Sequence, residues 1–142
     1  MIRSVLAVLV GIAVLTITSF AIEAAADPLL MRMFPNALPN SAALSHNLPA
    51  RLFMMAYTMI CVAAGGYVTA WIARRSQVRH AVIMGAVQVV LTVWAMFTLP
   101  HQAPLWGWIT GMALTVPAAW IGGVIRAKQG SRELQTVQAA PG

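Results

Sequence analysis

The sequence predicts an all-α membrane protein, a four-helix up-down bundle with both termini on the cytoplasmic side, and three observations lead there. Of the 142 residues, 60% are hydrophobic and 8% charged, whereas about a quarter of a soluble domain is charged. A mean hydropathy of +0.78 implies more apolar surface than one small core can hide from water. The apolar residues gather into four runs, about 4–23, 52–73, 81–99 and 107–125. The connections that these runs create place Arg3, Arg74, Arg75, Arg79, Arg126, Lys128 and Arg132 on one side, with only Arg32 and Arg51 on the other. Short loops rich in Lys and Arg stay in the cytoplasm, so the bias gives an N-in, C-in topology in a bacterial-type inner membrane.

Residues 5–22 carry no charge, and at a helical rise of 1.5 Å they cover about 27 Å, close to the hydrocarbon thickness. The first span begins after a basic Arg3 and ends at Ala24-Ala25-Ala26, features shared with signal peptides. Its apolar run exceeds the roughly 7–15 residues of a signal-peptide core, so retention as a span is expected. Between the first two spans, residues 24–51 hold Pro28, Pro35, Pro39 and Pro49, which rule out one regular helix. Asp27 and Pro28 suit the cap and first turn of a short surface segment ending near Phe34, and residues 41–47 suit another turn or two.

The second span is charge-free, the third carries only the amide of Gln88, and the fourth contains Pro117. Their short connections make them antiparallel neighbours. Trp71 and Trp120 fall near the inner ends of the second and fourth spans, Trp106 and Trp108 near the outer end of the fourth, as interfacial aromatic belts require. Residues 1–126 therefore form a single transmembrane domain, and 127–142 a flexible cytoplasmic tail. Ala70-Trp71-Ile72-Ala73 echoes Ala119-Trp120-Ile121-Gly122, a faint sign of two hairpin repeats that interfacial Trp placement explains as well.

Within a bilayer, helices associate through close backbone approach and interhelical hydrogen bonds, so small residues mark contact faces. Gly111, Thr115, Ala118 and Gly122 form such a stripe in the fourth span, and Thr58, Cys61, Gly65 and Thr69 in the second. Ser4, Gly11 and Thr18 do so in the first; Gly85, Gln88 and Thr92 in the third. The Gly65-Gly66 pair reads as helix packing. Gln88 is the most polar side chain at depth, an interhelical hydrogen-bonding group or a ligand facing a cavity. Pro117 frees the carbonyl of Ala113, which kinks the helix or exposes a binding group.

The net charge of +6 is spent on topology; no basic stripe with base-stacking aromatics marks a nucleic-acid partner. Cys61 is the only cysteine, and Glu23, Asp27 and Glu133 the only acids. Glu23 and Asp27 lie near the outer surface with His46 and His101, in no recognised metal-ligand spacing, while His80 is on the inner side. Neither nucleophile-elbow, zincin nor phosphate-loop motifs occur. No cofactor, metal or catalytic set is expected.

The segment Gly65-Gly66-Tyr67-Val68-Thr69-Ala70-Trp71-Ile72-Ala73-Arg74, with Pro117, Ala119, Gly122 and Gly123, resembles uncharacterised small bacterial four-helix integral membrane proteins. That resemblance implies the fold and no activity. In size and helix count the chain is also similar to small multidrug-resistance transporters, which depend on a glutamate within the first helix; here residues 5–22 hold none, and the charge bias opposes their dual orientation. The small-residue stripes point to a non-catalytic accessory subunit or homo-oligomer, its partners being the bilayer and other membrane subunits or itself. The alternative is a small transporter or channel with a polar site around Gln88, Thr92 and Pro117.

Overall fold

A computed structural model describes residues 2–73, 76–99 and 103–139, and every regular element among them is an α-helix. These are α1 (Ile2–Met33), α2 (Ser41–His46), α3 (Leu48–Ala73), α4 (Gln77–Thr98) and α5 (Leu105–Ala139). All but α2 are long and apolar enough to cross a membrane. The charged pair Arg74 and Arg75, and His101, lie outside the described residues.

The four long helices alternate in direction and pack as a rhombus. α3 and α4 face each other across its short diagonal; α1 and α5 occupy the far corners and at most graze each other. Gly11 meets Thr69 while Leu15 meets Gly65, so α1 and α3 are antiparallel. Arg51 lies against Gly107 and Ala63 against Gly122, which makes α3 and α5 parallel, and this is the most extensive interface of the bundle. The short connections make α3 and α4, and α4 and α5, antiparallel neighbours as expected. Glycine brings the parallel pair closer still: a Cβ at Gly66 would sit 3.0 Å from the Ala119 Cα, and one at Gly122 would collide with the Ala63 carbonyl oxygen. Such backbone contact is the dispersion-driven packing that replaces hydrophobic burial between apolar helices.

The interior is small and the exterior large. Leu15, Cys61, Val62, Met84, Ala118 and Ala119 form the central cluster, while Ile60, Val90, Trp94 and Phe97 are each more than 65% exposed. The Ala-Trp echo lands on the parallel pair: Ala70 and Ala119 are fully buried, Trp71 and Trp120 exposed.

Several boundaries depart from the sequence reading, and α4 begins at Gln77, four residues before the expected span. α1 runs on through Pro28 to Met33, where a loop from residue 24 and a separate segment from Asp27 were expected. Pro28 removes one helical donor, but Ala24, Ala25 and Ala26 before it are the best helix formers. Beyond it Leu30 and Met31 pack on Leu38, Leu44 and Ala50 of the connection. α3 begins at Leu48, four residues before the expected span, with Asn47 Oδ1 accepting from the Ala50 amide at 3.2 Å. α5 continues to Ala139, well beyond the expected end at 125. There the Tyr67 hydroxyl donates to Gln129 Oε1 at 2.7 Å and ties the extension to α3.

The 34–47 connection, which contains α2, packs on α1 and α3 and caps their end of the bundle, opposite the end where α1 begins and α5 finishes. Asn40 Oδ1 accepts from the Ala43 amide at 2.8 Å and caps the six-residue α2. Asn40→Ala is expected to cost about 1 kcal/mol. Faster amide exchange at Ala43 and Leu44, with exchange in α3 unchanged, is the measurement that checks it.

Candidate functional site

Each long helix carries small residues at four-residue spacing toward the interior, and at the cap end these faces diverge around a cavity of about 140 Å³. α1 contributes Glu23, which continues the line of Ala7, Gly11, Leu15 and Ser19 by fours. α3 contributes Arg51 and Tyr57, α4 Thr92, and α5 Gly107, Trp108, Gly111 and Thr115. Thr58 and the thioethers of Met54, Met55 and Met59 complete the wall.

The hydrogen-bond account of this wall is lopsided. Arg51 Nε, the Tyr57 hydroxyl and Trp108 Nε1 are buried, and none has a hydrogen-bond partner. Tyr57 itself is only 7% exposed. Its hydroxyl lies beside the Glu23 carboxylate without closing a hydrogen bond of ordinary length and angle. Arg51 is within electrostatic reach of both Glu23 and Tyr57, and its guanidinium rests over Gly107, where a Cβ would be 3.1 Å from Nε. Phe53 meets the Tyr57 ring edge-on at 5.8 Å between centroids and helps fix it.

The threonines supply the opposite polarity. Thr58, Thr92 and Thr115 donate their protons to the carbonyls four residues back, of Met54, Gln88 and Gly111, at 2.7, 2.9 and 2.8 Å. A hydroxyl so engaged keeps its lone pairs for another donor. The wall therefore offers unpaired donors from Arg51, Tyr57 and Trp108, and acceptors from Glu23 and three threonines. An unpaired buried donor costs about 1–3 kcal/mol unless something occupies the space beside it.

The residues singled out in the sequence divide. Thr92, Gly111 and Thr115 line the cavity. Gly65, Gly66 and Gly122 are buried at helix contacts: a Cβ at Gly65 would be 2.8 Å from the Gly11 carbonyl oxygen. Gly111 leaves the expected packing stripe, since a Cβ there meets nothing within 4 Å. Gln88 is half-buried and outside the cavity wall, and its amide oxygen is buried without a partner. Pro117 and Ala113 face outward, so the structure does not join them to Gln88 and Thr92 in one polar site.

Glu23, Arg51, Tyr57 and Trp108 escaped notice as a set because each, read alone, suits the end of a span. Part of their signal was available: stepping the α3 stripe four residues back from Cys61 reaches Tyr57, and stepping back three from Gly111 reaches Trp108, whereas Glu23 follows only from the line Ala7, Gly11, Leu15 and Ser19 and not from the stripe Ser4, Gly11 and Thr18. Among the described residues no three His, Cys, Asp or Glu side chains are grouped to hold a metal.

Fold and site together define a class: an all-helical chain whose four long helices meet the length and apolarity of a multi-pass membrane protein and line a half-open, largely apolar pocket with a few polar groups near one end. Compared with models of known families, with curated proteins and with solved structures, the chain matches none.

Proposed function

We propose that the chain is a small inner-membrane transporter, N-in and C-in, whose solute site is the cap-end cavity in the outer half of the bilayer. The observation that carries this reading is the set of buried, unpartnered donors on the cavity wall. In a hydrocarbon setting such groups are expensive, and where they persist they mark pathways and ligand sites. The bias of seven basic residues against two supports the orientation, and the outward-facing Ile60, Val90, Trp94 and Phe97 support insertion, since lipid would cover them.

The polar site thus lies around Tyr57, Trp108 and Thr115 rather than Gln88 and Pro117. The competing reading, an accessory subunit or homo-oligomer, drew on the small-residue stripes. Gly11, Gly65 and Gly122 on those stripes, with Gly66 beside them, make contacts inside this one chain, which supports reading them as intramolecular packing.

Protein reconstituted into liposomes is expected to accelerate the entry of at least one of four labelled solutes, erythritol, lactate, alanine and ethanolamine, over protein-free vesicles. These are neutral, anionic, zwitterionic and cationic molecules of similar small size. Entry of all four at the protein-free rate overturns the proposal.

A further inference from the structure

The rhombus has one weak side. α1 with α3, α3 with α5 and α4 with α5 pack extensively, whereas α1 and α4, which close the outline, touch far less. These two helices run in the same direction, and between their first halves lies an open groove of about 340 Å³. Val5, Leu9 and Ile12 of α1 and Ile83 and Val87 of α4 make its walls apolar. The polar residues of the lining, Ser4 and His80, both belong to the first turns of their helices and stand together at one end. His80 is held there by its Nδ1, which lies 3.0 Å from the Ser76 carbonyl oxygen and donates to it.

Walls of this kind suit a lipid chain better than another helix. Helices associate in a bilayer through small residues that let backbones approach. The groove is lined by branched aliphatic side chains with Ser4 and His80, and holds no glycine or alanine, while Gly11, Gly65, Gly66 and Gly122 make contacts inside the chain. A flexible hydrocarbon needs no backbone approach and gains dispersion contacts along each branched side chain. Charge at the polar end is as selective. Seven basic residues belong to this side of the bundle, Arg3 and Arg79 among them, against one acid, Glu133. Glu133 is on α5, across the rhombus from α1. Arg79 is exposed one turn before Ile83 on α4, and Arg3 precedes Ser4 on α1. Basic residues beside the cytoplasmic ends of spans attract anionic headgroups.

We propose that the α1/α4 groove seats an acyl chain of one anionic phospholipid of the inner leaflet, with its phosphate at the level of Arg3, Ser4, Arg79 and His80. The site rests on the membrane insertion and N-in orientation proposed above and is independent of the solute cavity, which lies at the other end of the bundle. The lipid completes the weak side. Its chain bridges Leu9 and Ile83, residues of different helices that are exposed without it, and its phosphate offsets the mutual repulsion of a strongly positive end. Headgroup charge, rather than chain length, is what the site distinguishes.

Native mass spectrometry of the full-length protein in mild detergent, with phosphatidylglycerol and phosphatidylcholine of identical chains added in equal amounts, tests the site. Phosphatidylglycerol is expected to remain bound at least about fivefold more often than phosphatidylcholine, the size of one basic residue's attraction to an anionic headgroup, and to raise the melting temperature further. Arg3→Gln combined with Arg79→Gln should bring the two lipids to parity. Leu9→Trp, which fills the groove from an exposed position, should cut retention of both lipids with the basic residues in place. If Leu9→Trp does not elute as one sharp species, Ile83→Trp makes the same test from α4. Equal retention of the two lipids by the unmodified protein, or a phosphatidylglycerol preference unchanged by either set of substitutions, overturns the site. A dimer that Leu9→Trp abolishes places a second copy in the groove and overturns it as well. Protein that stays folded in detergent-free buffer overturns insertion and the lipid site together, whereas absent flux with the phosphatidylglycerol preference intact overturns the transporter alone.

Discussion

Gly122→Val is expected to leave no stably folded bundle. Val places two methyl-bearing branches where even a Cβ would overlap the Ala63 carbonyl oxygen and lie 2.9 Å from the Tyr67 nitrogen. Both atoms belong to the α3 backbone, so no rotamer change relieves the clash and the helices must part. Parting them also undoes the Gly66 contact with Ala119, one turn away on the same interface. Overpacking that side chains can absorb costs about 1–3 kcal/mol; a rigid backbone obstacle on the most extensive interface should exceed that, against a total stability of about 5–15 kcal/mol. Gly122→Ala should err in the same direction by less. Thermal melting in detergent is the check, and a Gly122→Val protein that melts with the unmodified one would mean that α3 and α5 do not meet at this register.

The contrast between fold and site shows where sequence reasoning holds in this chain. Span number was legible because a run such as 5–22 or 81–99 needs only length and apolarity to be recognised, both of them local properties. Helix ends were less so: nothing near Leu30 and Met31 announces that Leu38 and Leu44, several residues on, fold back and hold α1 past Pro28. Pairing was harder still. Gly66 and Ala119 are 53 positions apart, and only their three-dimensional meeting shows that parallel α3 and α5 approach more closely than the hairpin partners α3 and α4. The site falls between these cases. Glu23, Arg51 and Tyr57 each sit near a span end, where charge and aromatic rings are ordinary. What separates an interfacial anchor from a cavity wall is direction, and the direction is written in the four-residue steps from Leu15 through Ser19 to Glu23 and from Cys61 to Tyr57.

The same stripe that makes Gly122 intolerant contains a residue expected to behave oppositely. Gly111→Ala should be stabilising by up to about 1 kcal/mol, because alanine is the better helix former and its methyl meets nothing within 4 Å. Gly111→Leu goes further. Its four added carbons start from a wall position whose Cβ is free of neighbours and extend into the 140 Å³ cavity, so the side chain occupies solute volume. The expected result is loss of solute binding and flux by at least about tenfold, together with unchanged or raised melting temperature. Destabilised protein generally loses function and stability together; a block that leaves the fold firmer isolates the cavity as the place where function resides. If Gly111→Leu instead transports at the unmodified rate while remaining folded, the solute passes elsewhere, and Tyr57 and Trp108 hold their unpaired protons for some reason other than binding it.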